Sequence, residues 1–249
     1  MRLGSDPEVF LQNSAGKAIS SIGYINADKW NPMQIPDMPT GYTLQEDNVS
    51  LEYGIPPAAT EVEFIHSIQA VMAKSLEYLP NLSFSKMSCL IFTEDQMMEP
   101  RAHIFGCEPD YNAWTQKENP SPNPPHMYMR SAGGHIHVET SNDPITVVRN
   151  MDLFLGVPSV LMDSGEERKK LYGSAGAHRV KPYGVEYRTL SNFWIFEEKL
   201  MSWVWRNTAK ALASDIDVAA YADEIMRSIN TNDKELAREL VNTFGLEVV

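Results

Sequence analysis

Charged and imidazole side chains recur at alternate positions in segments that otherwise read as strands: Asp6 and Glu8, Ser50 and Glu52, His135 and His137, Glu186 and Arg188. Residues two apart on a strand project to the same face of a sheet, so each pair presents its groups together. A face made of carboxylates, imidazoles and a guanidinium cannot serve as an apolar core. It lines a wet, charged concavity, and the fold must cover the opposite face with something apolar.

Helical patterns supply that cover. Thr60 with Glu63 forms a capping box, after which Phe64, Ile68, Val71, Met72, Leu76 and Leu79 recur at helical spacing until Pro80. Asp143-Pro144 opens a second helix with proline at the first helical position, and Pro158 is placed to kink it. A third amphipathic pattern covers residues 196–212. Two more occupy the last forty residues, with Asp233 as a cap and Gly245 as a stop. Strands are read at 8–12 with a return after the turn at Asn13–Gly16, and at 49–53, 82–93, 131–140 and 184–190. Residues 30–42 and 108–125 are proline-rich and read as loops. The order of elements predicts an α+β fold in which a mainly antiparallel sheet is backed by helices. The expected organisation is a catalytic domain over residues 1–214, with a helical extension over 215–249 packed on it.

With 249 residues, 43% of them hydrophobic, the chain can bury a substantial core. A formal net charge of −12 opposes nucleic-acid phosphate and argues against general DNA or RNA binding. Cys89 and Cys107 match no zinc motif or disulfide framework and read as reduced thiols. No signal-like apolar core and no uninterrupted membrane-length apolar run is evident, so a cytoplasmic location is expected.

Carboxylates with an imidazole suit a divalent ion, and an oxygen-rich set favours magnesium or manganese. Asp6, Glu8, Glu52 and Glu186 would repel one another in a partly buried site unless cations intervened. Several metals facing an arginine suit a polyphosphate, with Arg188 offsetting transferred charge. Each motif also has a plainer reading. Asp6-Pro-Glu8 reads equally as a solvated turn, His135 and His137 as one packed and one exposed histidine, and Glu186 with Arg188 as a cross-strand ion pair. Gly133-Gly134 before the histidines would let a ligand approach the backbone. Glu61 and Glu63 share the spacing but fall in the first helical turn, where capping and the helix dipole account for them. Residues 166–170 read as a solvated helix end from which Arg168 can reach a phosphate. Cys107, His66, His103 and His126 are assigned structural or surface roles.

Taken in order, the stretches Leu3–Phe10, Asp47–Tyr53 with Pro56-Pro57-Ala58, Gly133–Val138, and Tyr172–Arg179 running into Gly184–Thr189 resemble the glutamine synthetase-like superfamily. Within it they are most similar to the phage-type carboxylate–amine ligases, type 2, among the predicted amidoligases. The resemblance spans residues 3 to about 195. It implies a glutamine synthetase-like catalytic domain that uses ATP and Mg2+ (or Mn2+) to join a carboxylate to an amine through an acyl phosphate. It implies Asp6, Glu8, Glu52, His135 and Glu186 as metal ligands and His137, Arg179 and Arg188 as nucleotide or phosphate contacts. It further implies Arg188, Arg179 and Glu52 as the residues that carry the chemistry. The synthetases have a longer acidic segment with two glutamates where this chain has Asp47 and Glu52, and they carry a separate N-terminal β-grasp domain that has no counterpart here. A metal-dependent phosphohydrolase, or a non-catalytic binding or virion protein retaining a degenerate site, are the rival readings. The expected partners are a small-molecule or peptide carboxylate and an amine. Nucleic acid enters only as a modified-base substrate.

Overall fold

The computed structural model describes residues 1–104 and 109–249. Its strands and helices in chain order are β1 (Arg2–Ser5), β2 (Glu8–Asn13), β3 (Ala18–Ile19), β4 (Met33–Gln34), β5 (Thr43–Asp47), β6 (Ser50–Ala58), α1 (Glu61–Ser75), β7 (Leu82–Ser85), β8 (Cys89–Ile91), β9 (Tyr111–Asn112), β10 (Met129–Ser131), β11 (Ile136–Glu139), α2 (Pro144–Met151), α3 (Val157–Met162), β12 (Ala177–Lys181), β13 (Gly184–Tyr187), α4 (Glu198–Ala213), α5 (Ala222–Asn230) and α6 (Lys234–Phe244). The fold is mixed α/β, built on a large antiparallel sheet.

The spine of that sheet runs β3-β2-β6-β1-β11-β13-β12-β9, with β5 on β6, β4 on β5 and β7 on β2. A separate two-stranded ribbon joins β8 to β10. Alternation decides what each face carries. Val9 and Leu11, Leu51 and Tyr53, Ile136 and Val138, and Val185 and Tyr187 point into one core with Phe64, Ile68 and Val71 of α1, Val147, Val148 and Met151 of α2, and Trp203 and Val204 of α4. Residues between them in sequence point the other way, where Phe10 is buried against Phe92, Met97 and Ala102 and the charged positions line a cleft.

Helix ends follow the expected chemistry. Thr60 Oγ1 accepts from Glu63 N at 3.2 Å, and the Glu63 carboxylate accepts from Ala59 N at 2.8 Å. Asp233 caps α6, and Gly245 ends it in the left-handed region at φ 60°. Between α2 and α3, residues Asp152–Gly156 form a π turn. Pro158 has no N–H to donate to the preceding turn, which favours such a widening. The continuous helix Pro144–Met162 has the length and hydropathy of a membrane span, yet 67% of it is buried inside the protein, which identifies it as a core helix. Its second half, with Leu153, Val157 and Val160, packs against Ile225 and Ile229 of α5 and Leu236, Ala237 and Leu240 of α6 in a second apolar cluster.

Several expectations need correction. Residues 82–93 are two strands, β7 and β8, in different sheets. Residues 131–140 are not one strand: Ser131 ends β10, and β11 begins only at Ile136, after Gly133-Gly134. The two proline-rich loops each contribute a short strand, β4 and β9, and β1, β5 and β12 have no counterpart in the sequence-based reading. Cys107 lies outside the described residues, as does Glu108 at the start of the second loop. Cys89 is a free thiol, pushed up to about 11 by burial.

Candidate active site

The charged part of this face is lined by side chains brought into register by the ladders. Glu8 pairs with Glu52 and Glu52 with Gln45, so β2, β6 and β5 set three polar groups in a row. On the other side of β1, His137 pairs with Glu186 and Glu186 with Arg179 across β11, β13 and β12. Asp6 sits in the link between β1 and β2, beside both rows. Glu8, Gln45, Glu52, Asp6 and Arg179 line an open cleft of about 340 Å³, walled also by Lys29, Trp30, Asp47, His135, Lys181 and Arg188, while Glu186 is buried and His137 faces a neighbouring cavity. Of the eight residues expected from the sequence, Asp6, Glu8, Glu52, His135, Arg179 and Arg188 line the cleft, and His137 and Glu186 lie beside it in contact with Asp6 and Arg188 respectively.

They fall into two groups. In the first, ligand atoms of Glu8, Asp47 and Glu52 lie within 4.8 Å of one another. Asp47, noted from the sequence only where it departs from the synthetase pattern, completes this acidic triad from the end of β5. Burial raises the Asp47 carboxyl to about 7, and the charge of Glu8 adds to the effect. Burial likewise raises Glu52 well above the ordinary range, reinforced by the charges of Asp6, Asp47 and Glu8. The triad has more negative charge than its surroundings compensate, which is the condition a cation relieves.

In the second group, ligand atoms of Asp6, His137 and Glu186 also lie within 4.8 Å. His137 Nε2 is 2.9 Å and His135 Nδ1 is 3.3 Å from Asp6 Oδ1. The sequence expectation had put His135 on metal and His137 on phosphate. Both histidines approach the carboxylates: His137 Nε2 groups with Asp6 and Glu186, and His135 Nδ1 also lies 3.9 Å from Glu186 Oε1 and 3.4 Å from Arg188 Nη1. Glu186 is surrounded by cations: Arg188 Nη1 in a short contact, Arg179 Nη1 at 3.4 Å and Lys181 Nζ at 2.9 Å. Burial would raise its carboxyl, but Arg188, with help from His135 and Arg179, holds it down at about 2. Asp6 behaves the same way. Burial opposes its ionisation, and the charges and hydrogen bonds of His137 and His135 keep it well below its usual value. His137 is raised in return: desolvation works against its charge, and Asp6 outweighs it.

The supports of this face are specific. Glu8 Oε2 accepts from Gly133 N at 2.7 Å, and Glu8 N donates to Gly133 O at 2.9 Å, a two-way bond joining the triad to the segment before β11. The glycines are needed for packing against the protein itself. A Cβ on Gly133 would lie 2.3 Å from His135 Nε2, and one on Gly134 would lie 2.4 Å from Ser191 O. The expected approach of a ligand to this backbone is replaced by the His135 ring and Ser191. Arg188 is oriented by Asp110 Oδ2, 3.4 Å from its Nε. Its neighbours Tyr187 and Thr189 are both bonded by Asp152 of the π turn, at 2.8 and 3.2 Å. Arg168 is no part of a solvated helix end. It is 2% exposed and donates to the carbonyls of Thr189 and Arg188. Sequence reading thus missed Asp47, Asp110, Lys181 and the anchoring of Arg168. Two of these carried a signal, since Gln45-x-Asp47 and Arg179-x-Lys181 have the same alternate spacing as the motifs that were found.

Residues 124–237 match the family model of phage phiEco32-like COOH.NH2 ligases, type 2. The match supports the family that the motifs resemble, and that family's description is of a carboxylate–amine ligase. His135, His137, Arg179, Glu186 and Arg188 lie inside the matched stretch, whereas Asp6, Glu8, Asp47 and Glu52 lie before it. No curated protein matches the chain.

Proposed function

We propose that this chain is an ATP- and Mg2+-dependent carboxylate–amine ligase whose reaction takes place in the cleft over β6, β1, β11 and β13. The observation that carries the reading is the pairing of an acidic triad, whose charge Lys29 and Arg188 offset only in part, with an adjacent group rich in cations. That is the arrangement a metal–polyphosphate ligand requires, and the family match supports a ligase over other users of such a site. The donor sets fit divalent ions. Glu8, Asp47 and Glu52 offer only oxygen, which suits Mg2+, and Asp6, Glu186 and His137 form a mixed set that also suits Mn2+. A bound divalent ion would supply charge neutralisation and orientation for the phosphates.

The chain's own residues do the rest. Arg188 and Arg179, with Lys181, offset charge on the transferred phosphoryl group. Asp110 and His135 hold Arg188 in place, and His135 Nδ1 together with His137 Nε2 fixes Asp6. The γ-phosphoryl group passes from ATP to an oxygen of the substrate carboxylate, forming the acyl phosphate and releasing ADP. The amine then attacks the acyl carbon, the C–N bond forms, the bond to the phosphate oxygen breaks, and phosphate and a proton depart. A free carboxylate is a poor electrophile towards an amine, which is why activation is needed. The test is phosphate release from ATP and Mg2+ with pools of acids and amines. Release that requires both substrates, with an amide product by mass spectrometry, is expected. Release needing no amine identifies a phosphohydrolase and rejects the ligase reading.

A further inference from the structure

Two adjacent cations behind the cleft are treated in opposite ways. Arg168 has both terminal nitrogens on backbone carbonyls. Lys169 Nζ is buried and has no hydrogen-bond partner among the described residues. Burial depresses its amine to about 8, and Asp163, the next largest influence, only partly opposes this. An unpartnered buried ammonium is destabilising, so its presence requires a reason.

The amine lines a cavity of about 110 Å³ with Asp110, Asn119 and Ser174, on a scale where a single water needs about 10–15 Å³. The cavity is the last of three that share walls. Asp110, Tyr172 and Gly173 also wall a middle cavity, which in turn shares Glu8, Asp47, His135 and Arg188 with the cleft. Asp110 is therefore common to the end cavity and to the Arg188 contact. A bare carboxylate entering there would meet Lys169 favourably and Asp110 unfavourably. A group with both charges satisfies both walls, and Asn119 and Ser174 add neutral hydrogen-bonding partners.

We infer that this end cavity recognises the zwitterionic head of a small amino-acid substrate, with Lys169 taking its carboxylate and Asp110 its ammonium. The inference relies on the proposed ligase reading for calling the ligand a substrate, and on the cavity alone for its chemistry.

The test is saturation-transfer NMR without ATP or metal, using glycine, acetate and glycinamide as probes on the wild-type chain and on Lys169→Met. The expected result is that glycine saturates on the wild type, acetate does so more weakly and glycinamide stays silent. Lys169→Met, which keeps the length of the side chain, should weaken glycine binding by about tenfold, as expected for losing one charge-assisted bond, while raising Tm. Glycine that fails to bind the wild type, binds Lys169→Met equally well, or is matched by glycinamide overturns the inference. Glycine binding through Lys169 in a chain that releases no phosphate would keep this inference and remove the ligase reading. Amine-dependent turnover with glycine indifferent to Lys169 would do the reverse.

Discussion

The acidic triad and the imidazole–guanidinium group border the same cleft, a strand apart, and have opposite electrostatic states. Around Glu186 three cationic side chains outweigh the effect of burial, so the carboxylate remains ionised down to about pH 2. Around Asp47 the charges of Lys29 and Arg188 offset only part of the effect of burial and of Glu8, around Glu52 the Gln45 hydrogen bond offsets still less, and both hold protons more tightly than a free carboxyl. One group has most of its charge balanced by the protein's own cations while it still presents three ligand atoms. The other needs an added cation for balance. Burial by itself does not decide what an acidic residue is for; the charge balance of its neighbours does.

The largest expected effect concerns activity. Replacing both Asp47→Asn and Glu52→Gln should lower Mg2+-dependent phosphate release by about 10²–10³-fold, as expected for losing several kcal/mol of metal-derived charge stabilisation. Turnover that survives in the double variant would place the chemistry on the second group alone.

Stability should then separate the two groups by sign. Glu186→Gln strips the shared acceptor from Arg188, Arg179 and Lys181 and should destabilise the fold by about 3–5 kcal/mol. Glu52→Gln, measured without metal, should stabilise it by about 1–3 kcal/mol, because it removes a buried group in an unfavourable field. Urea titrations of the two variants in chelator check this. Changes of the same sign would break the contrast.

The pH dependence is a smaller effect with the same logic. The folded value of Asp47, about 7, lies above its ordinary 3.8, so the unfolded chain loses its proton first. Metal-free stability should fall as pH rises from about 4 to about 7. Glu186 works in the other direction. Its folded value of about 2 lies below the ordinary 4.5, so its stabilisation is present above pH 4.5 and lost as pH falls towards 2. Adding Mg2+ at pH 6 should release protons, measurable in weakly buffered solution, and Asp47→Asn should reduce that release. A flat metal-free profile between pH 4 and 7 would contradict the assignment.

The smallest effect is a control. Glu63 shares the alternate spacing of the site but bonds Ala59 N at the start of α1. Glu63→Ala should cost about 1 kcal/mol or less and leave phosphate release unchanged.

These residues also show what a sequence makes visible. Glu8, Glu52, His137 and Glu186 could be assigned to one face because period-two alternation is a local property of a strand. Thr60, Asp233 and Gly245 were equally legible, since caps depend on nearest neighbours. Asp47 was not assigned because β5 did not look like a strand. Its buried side carries Leu44 and then Glu46, whose carboxylate accepts the N–H groups of Gly23, Ile25 and Asn26, so a charged residue occupies a core position and the apolar alternation fails. Arg168 sits in a run of charges that reads as solvated. Only the carbonyls of Arg188 and Thr189, twenty residues on in sequence, make its burial favourable. Asp110 reaches Arg188 through tertiary packing of a proline-rich loop, for which the sequence has no periodic sign. The register between strands, and hence the division into two groups, is likewise non-local.

The position of β1 in the sheet bears on how the protein is made. It lies between β6 and β11, with Arg2 opposite Glu139 and Leu3 opposite Ala58. During synthesis β1 must wait for a partner more than a hundred residues downstream, and the last ladder of the cleft closes only when β13 has emerged. Pairing over such distances is slow. Until then Asp6 follows a strand with an unfinished edge, and its group with His137 and Glu186 is assembled only near the end of folding, whereas the strands that carry Glu8, Asp47 and Glu52 pair among themselves within residues 8–58. A divalent ion held by Asp6, His137 and Glu186 should therefore slow unfolding more than it speeds folding.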